Sequence, residues 1–123
     1  MPLQPSNVAP ASLAQRLVQD AASTQKPTFL VVYASLTKGR SWCGDCRKAE
    51  PFLEKKFAEK DAEVVYAGEP QEWRKPDNPW RQAPFNVTNL PTLLKVTANG
   101  KWHKLVEADV YNQRKLDDFV DWK

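Results

Sequence analysis

Apolar residues in this chain fall into two kinds of pattern, short strand-like runs and helical stripes. Phe29-Leu30-Val31-Val32-Tyr33-Ala34 is a continuous apolar run rich in strand formers, and it predicts a buried strand over 28–33. Ala62 to Ala67, with Val64, Val65 and Tyr66 at its heart, predicts a second. Thr92–Thr97 and Lys101–Val106 flank Asn99-Gly100, a short-turn signal that predicts a hairpin. Helical spacing appears three times. Ser12 can cap a helix that turns Leu13, Leu17, Val18, Ala21 and Ala22 inward and stops at Lys26-Pro27. A second helix follows Cys43 and meets Pro51, which removes a backbone bond and predicts a kink. The third runs from about Asn112 to Trp122, with Leu116, Phe119 and Val120 facing the core. The first ten residues hold three prolines and are expected to be loosely held, ahead of a single domain over 11–123. Ser35–Ser41 reads as a polar loop, and Glu69–Leu90 as a long proline-punctuated loop with one helical turn near Trp80–Ala83. The order predicts an α/β fold, a central mixed sheet with helices on both faces.

Composition narrows the field. With 123 residues, 41% hydrophobic and 27% charged, the chain can bury a core without metal or disulfide staples. A net charge of +3 with interleaved signs gives no basis for nucleic-acid binding. No apolar run is long enough to span a bilayer. The N-terminus has neither the basic nor the apolar region of a secretory signal, so a cytoplasmic, reducing setting is expected.

Both cysteines lie in Trp42-Cys43-Gly44-Asp45-Cys46, where a strand hands over to a helix. A Cys-x-x-Cys at a helix start suits a dithiol redox pair. The first sulfur meets the positive end of the helix dipole and unpaired N–H groups, which favour a thiolate. The second lies one turn on, within reach. Cys43 is therefore the expected nucleophile and Cys46 the resolving thiol. A zinc site is the rival, but His103 lies in a distant strand without a partner at ligand spacing, so no metal is expected. Asp45, in the first helical turn, interacts favourably with the dipole, opposes thiolate formation nearby and is a candidate relay for the Cys46 proton. Lys38 and Arg40 precede the site and could steer anionic substrates, or be solvated loop charges. Trp42 is expected to shield the sulfurs. Trp73 and Trp80 could shape a substrate mouth, whereas Trp102 and Trp122 read as packing.

Further marks add up to a resemblance. The strand before the Cys-x-x-Cys, Trp42 ahead of it, Pro51 after it, and Leu90-Pro91-Thr92 opening the hairpin match the thioredoxin superfamily. Ser41-Trp42-Cys43-x-Asp45-Cys46 with Ala49-Glu50-Pro51, the string Val87 to Lys95, and Leu105-Val106-Glu107 resemble the cytosolic thioredoxin-like proteins of the Clot family. That resemblance implies a thioredoxin-like fold and reduction of disulfides in small molecules or selected proteins. It implies no bound cofactor, with electrons supplied by NADPH through thioredoxin reductase as partner. A monomer is expected. The resemblance also implies a cis Leu90–Pro91 bond beside the dithiol, with Leu90 backbone groups free to hold an extended substrate. Two departures stand out: Gly44 occupies a position where the Clot pattern has Pro, and Val31 occupies the place of the buried acid of ordinary thioredoxins. The proton acceptor for Cys46 is left open. A general protein-disulfide thioredoxin, or a redox-inert adaptor using the 69–90 loop, are the alternatives.

Overall fold

Five strands join into one twisted sheet in the order β1-β5-β2-β6-β7 in the computed structural model, which describes residues 3–37, 40–41 and 43–121, with the backbone alone described at 36, 37, 40 and 41. The strands are β1 (Leu3–Pro5), β2 (Thr28–Tyr33), β5 (Ala62–Tyr66), β6 (Thr92–Val96) and β7 (Trp102–Val106), and a small separate hairpin pairs β3 (Leu36–Thr37) with β4 (Arg40–Ser41). The central strand β2 runs parallel to β5 and antiparallel to β6, with Val31 opposite both Val64 and Leu93. The predicted mixed sheet is present, and both faces of its centre are covered: Phe29 to Tyr33 are buried without a break, as a strand clad on both sides requires.

Helices divide between those faces by strand alternation. Thr28 bonds its hydroxyl to the Leu17 carbonyl at 2.9 Å, which seats α1 (Pro10–Thr24) on its side of the sheet. Phe29, on the other side, meets Phe57 with ring centroids 5.2 Å apart, which seats α2 (Gly44–Lys56) there. The last helix, α4 (Gln113–Asp121), lies beside α2, and Lys56 bonds Asp117 at 2.9 Å and Asp121 at 2.7 Å. Lys95, on the Phe29 face and almost wholly buried, donates to the Phe119 carbonyl at 2.7 Å. The α4 stripe is as predicted for Leu116 and Val120, which are buried, while Phe119 is half-buried.

Several expectations change. Residues 1–10 were expected to be loose, but Leu3–Pro5 pair in parallel with Ala62–Val64 and close the β5 edge, and the Ser6 N–H reaches the Val64 carbonyl at 2.9 Å. Ser12 is not the cap of α1. The helix starts at Pro10, whose fixed φ and missing N–H suit the first helical position, and Ala14 rather than Ala22 completes the buried stripe of Leu13, Leu17 and Ala21. The loop 35–41 contains the β3–β4 hairpin. As expected, α2 carries Pro51 in its interior, and it runs on to Lys56.

The 69–90 segment is more ordered than its prolines suggest. It carries α3 (Pro70–Trp73), fixed by a reciprocal Glu69–Glu72 capping box, and a single 3-10 turn at Pro79–Arg81. Asn78, buried to 7% exposure, ties these together. Its amide donates to the Ala67 carbonyl at 2.8 Å and the Glu72 carbonyl at 3.2 Å, and its oxygen accepts from the Trp80 N–H at 3.0 Å. Gly68 enters this segment at φ +115, and a Cβ there would stand 2.8 Å from the Glu72 Cβ. Trp80, Phe85 and Trp102 then stack edge to face, at 4.8 and 5.5 Å.

Candidate functional site

The dithiol sits where β2 delivers the chain, through the β3–β4 hairpin, to the first turn of α2. Cys43 is the N-cap of that helix, in extended backbone conformation, and its sulfur accepts the Cys46 N–H at 3.2 Å. A sulfur thus fills the place that a serine or aspartate oxygen takes at most helix starts. Cys43 is half-buried, whereas Cys46 is wholly buried at 0% exposure at the head of the α2 stripe of Cys46, Ala49 and Leu53. One thiol is open to a substrate and the other stands behind it.

Opposite Cys43 lies the start of β6. The Cys43 thiol donates to the Leu90 carbonyl at 3.6 Å, and the Leu90–Pro91 peptide is cis, as is Ala83–Pro84. Pro91 is buried, and its own carbonyl accepts the Glu107 N–H at 2.8 Å. The expectation that the Leu90 carbonyl would stand free therefore needs correcting: while Cys43 carries a proton, that oxygen is engaged. Ionisation of the sulfur or its capture in a disulfide removes the S–H and releases the oxygen.

The Cys43 thiol is lowered from 9.0 to about 7. The hydrogen bond from the Cys46 thiol contributes most, burial opposes it, and the Cys46 N–H adds to the lowering. Asp45 acts in both directions, its charge raising the value and its backbone N–H lowering it. Its carboxylate is turned to Tyr111, whose hydroxyl donates to Oδ1 at 2.8 Å. Tyr111 packs near Phe52 at 6.5 Å, and the Lys48 ammonium stands 5.8 Å from its ring. Tyr111 was invisible as a site residue, because nothing in a stretch 66 residues away marks it as the partner of Asp45. A direct consequence is measurable. Because the thiolate is the nucleophile, the alkylation rate of Cys43 should rise with pH about a midpoint near 7, well below an ordinary thiol at 9.0. Iodoacetamide labelling followed by peptide mapping checks it, and a midpoint above 8.5 would show that the capping geometry leaves the thiol unactivated.

The remaining expected site residues fare differently. Trp42 and Lys38 lie outside the described residues, as does Trp122, and the Arg40 side chain lies outside them too. Trp73 is buried to 7% exposure at the end of α3. The Arg81 guanidinium covers its ring at 3.9 Å, and Arg81 Nε donates to the Trp73 carbonyl at 2.7 Å. A molecule approaching there meets Arg81 and not the indole face. Trp80 is likewise buried. Among the described residues no three His, Cys, Asp or Glu side chains converge as a metal site requires. No helix of the described residues is long and apolar enough to cross a membrane.

Known structures with this fold are numerous. The fold superposes on thioredoxin O1 of Arabidopsis thaliana with a TM-score of 0.61 at 20% identity, covering 98% of each chain. It superposes on spinach chloroplast thioredoxin f with a TM-score of 0.64 at 16% identity, covering 97% of this chain and 84% of that one. At such identities the likeness is one of fold. In sequence, the chain is 40% identical over 88 residues to the thioredoxin-like protein Clot of Arabidopsis thaliana, covering 66% of each. It is 39% identical over 77 residues to thioredoxin domain-containing protein 17 of Mus musculus, covering 59% of each. The chain thus spans 66% and 59% of these two relatives' own lengths, less than two thirds of either. Residues 9–121 match the thioredoxin domain of the thioredoxin domain-containing protein 17-like family. Helix start, sulfur cap, buried second thiol and facing Leu90-Pro91 all fall inside that match, and the chain belongs to this Clot-type family of thioredoxin-like proteins.

Proposed function

We propose that this protein is a thiol–disulfide oxidoreductase that reduces disulfides of small molecules or selected proteins and is recycled by NADPH through thioredoxin reductase. The observation that carries the reading is the seating of Cys43, a half-buried sulfur at a helix N-cap with a lowered thiol value, backed by the wholly buried Cys46. In the first step the Cys43 thiolate attacks one sulfur of the substrate disulfide. A Cys43–substrate disulfide forms, and the other substrate sulfur leaves as a thiolate that takes up a proton. In the second step Cys46, deprotonated, attacks the Cys43 sulfur. The Cys43–Cys46 bond forms, and the remaining substrate sulfur leaves as thiolate and is protonated. Two electrons pass to the substrate, and the oxidised pair awaits two from the reductase. An extended substrate chain can take the Leu90 carbonyl that the thiol has released. Asp45 shares the first turn with both sulfurs, and its hydrogen bond to Tyr111 sets where its charge lies.

Selectivity follows from what surrounds the sulfurs. In the chain, Lys38 and Arg40 precede the sulfurs, and Arg74, Lys75 and Arg81 fall within the 69–90 segment; this reading gives the mouth more positive charge than that of a general thioredoxin. Purified protein coupled to thioredoxin reductase should consume NADPH with cystine as substrate and reduce insulin at least ~10-fold more slowly than a general thioredoxin at equal reductase flux, a difference of about 1.4 kcal/mol in barrier. Equal rates on insulin would assign a general thioredoxin. No NADPH consumption with either substrate would remove the reductase reading. The redox-inert adaptor is disfavoured by the burial of Trp73 and Trp80, which leaves the 69–90 segment without an exposed indole for a partner.

A further inference from the structure

Resolution of the mixed disulfide requires that Cys46 lose its proton inside the core, where solvent does not reach it: the residue is 0% exposed. Among the described residues, one unexplained polar atom lies on that side of the sheet. Phe29, Val31 and Tyr33 point from β2 toward α2, and of these only Tyr33 carries a polar group. Tyr33 is 6% exposed, and its hydroxyl is a buried side-chain atom with no hydrogen-bond partner among the described residues. An orphan hydroxyl of this kind costs stability, about 1–3 kcal/mol by mutational measure, which calls for a reason. The groups acting on it share a single stripe of α2, for Cys46, Glu50 and Glu54 follow at successive four-residue steps. Tyr66, its register partner on β5, stands with its ring centroid 6.4 Å away and also senses Glu50. The half-buried Glu50 carboxylate therefore bears on both tyrosines, one turn of helix from the resolving sulfur.

We propose that Glu50 accepts the Cys46 proton through the Tyr33 hydroxyl as the mixed disulfide is resolved. The inference rests on the oxidoreductase reading above. In the step, the Cys46 S–H bond breaks and the proton passes across an internal water to the tyrosine oxygen, while the tyrosine O–H proton moves on across a second water to Glu50, since the hydroxyl bonds neither group directly. The Cys46 sulfur pair forms the bond to Cys43, and the Cys43–substrate bond breaks. The departing thiolate is protonated from solvent or from Glu50, which resets the carboxylate. Tyr33 stays neutral throughout. Burial first, then Glu50, Cys46, Glu54 and Tyr66, hold its hydroxyl far above the usual tyrosine range, so it relays a proton and does not store charge. Tyr33 is on this account a positioning and relay residue, and Glu50 acts through it.

The test separates the two chemical steps. Reduced protein is mixed with an aromatic disulfide, 5,5′-dithiobis(2-nitrobenzoate), which releases one coloured thiolate on attack by Cys43 and a second when Cys46 resolves the adduct. The second release should be about tenfold slower in Tyr33→Phe and about 10²-fold slower in Glu50→Gln at neutral pH, the latter at the low end of general-base effects. Both deficits should shrink as pH rises and hydroxide takes over deprotonation. A structural role predicts the opposite pattern for Tyr33→Phe: deleting an unsatisfied hydroxyl leaves the urea midpoint unchanged or higher, with normal resolution. Tyr33→Phe and Glu50→Gln that resolve at the wild-type rate with the wild-type pH profile would overturn the proposal while leaving the reductase reading intact. So would a slow second step in Asp45→Asn alone, which would move the proton to Asp45. Failure of the wild-type protein to release any thiolate would overturn the oxidoreductase reading, and the proposal with it.

Discussion

Replacing Cys46 with serine or alanine should stop turnover at background and leave the substrate attached to Cys43 as a stable mixed disulfide. Cys43 has the half-buried, thiolate-favouring position, and Cys46 is the wholly buried sulfur one turn behind it. Without Cys46 the first attack still occurs, because Cys43 keeps the helix start and the N–H of residue 46 as its bond partner. Nothing within reach then displaces the second half of the substrate. Intact mass after incubation with cystine should show one half-cystine added, removable by dithiothreitol. Cys43→Ser should give no adduct at all. Serine places a hydroxyl in a dry site at a cost of about 1–3 kcal/mol, so the alanine variant and a urea midpoint for each confirm that the fold persists. An adduct on Cys46 in Cys43→Ser, with none in Cys46→Ala, would reverse the assignment of roles.

The largest expected loss of stability comes from Phe57→Ala. Phe57 is 0% exposed and among the largest of the fully buried side chains, and it stacks on Phe29 of the central strand at 5.2 Å. It follows the last turn of α2, where its N–H bonds the Leu53 carbonyl at 2.9 Å. Truncation removes transfer energy and opens a cavity, together about 3–5 kcal/mol. That is a large share of the ~5–15 kcal/mol that holds a domain folded. The urea midpoint should fall by on the order of 2 M without change of slope. Because the lost contact anchors the far end of the helix whose start carries both thiols, activity should decline with the folded fraction and not ahead of it. A midpoint shift below ~0.5 M would mean that the α2–sheet seam closes over the gap.

The parts of this protein that announced themselves in sequence are those governed by local rules. The run Phe29 to Tyr33 became the central strand, Asn99-Gly100 became the hairpin turn with Gly100 at φ +81, and the Cys-x-x-Cys became a helix start. Proline misled where a tertiary partner overrode it. Leu3–Pro5 becomes a strand through its pairing with β5, and the 69–90 segment is ordered by the three hydrogen bonds of Asn78, a residue type that reads only as a turn former. The site was half legible for the same reason. Cys43, Cys46 and Asp45 lie together in the chain, and Leu90 and Pro91 were reached by resemblance. The partner of Asp45 comes from Tyr111, and the significance of Tyr33 arises from the absence of a bond, which no pattern of residues displays.

A helix that ends on a sulfur has a terminus whose quality depends on its oxidation state. A thiolate at Cys43 is a strong acceptor for the Cys46 N–H, and a disulfide sulfur is a weak one, so reduction and the integrity of the first turn of α2 favour each other. The sign with pH is fixed by the lowered thiol. The stabilisation is complete above the ordinary value of 9.0 and disappears as pH falls through about 7. A closed thermodynamic cycle carries the same free energy into the electron balance: whatever holds the reduced fold together raises its reduction potential, by about 30 mV for each tenfold in the equilibrium. Substitutions that tighten or loosen that one turn, with no sulfur touched, therefore tune how strongly this protein donates electrons.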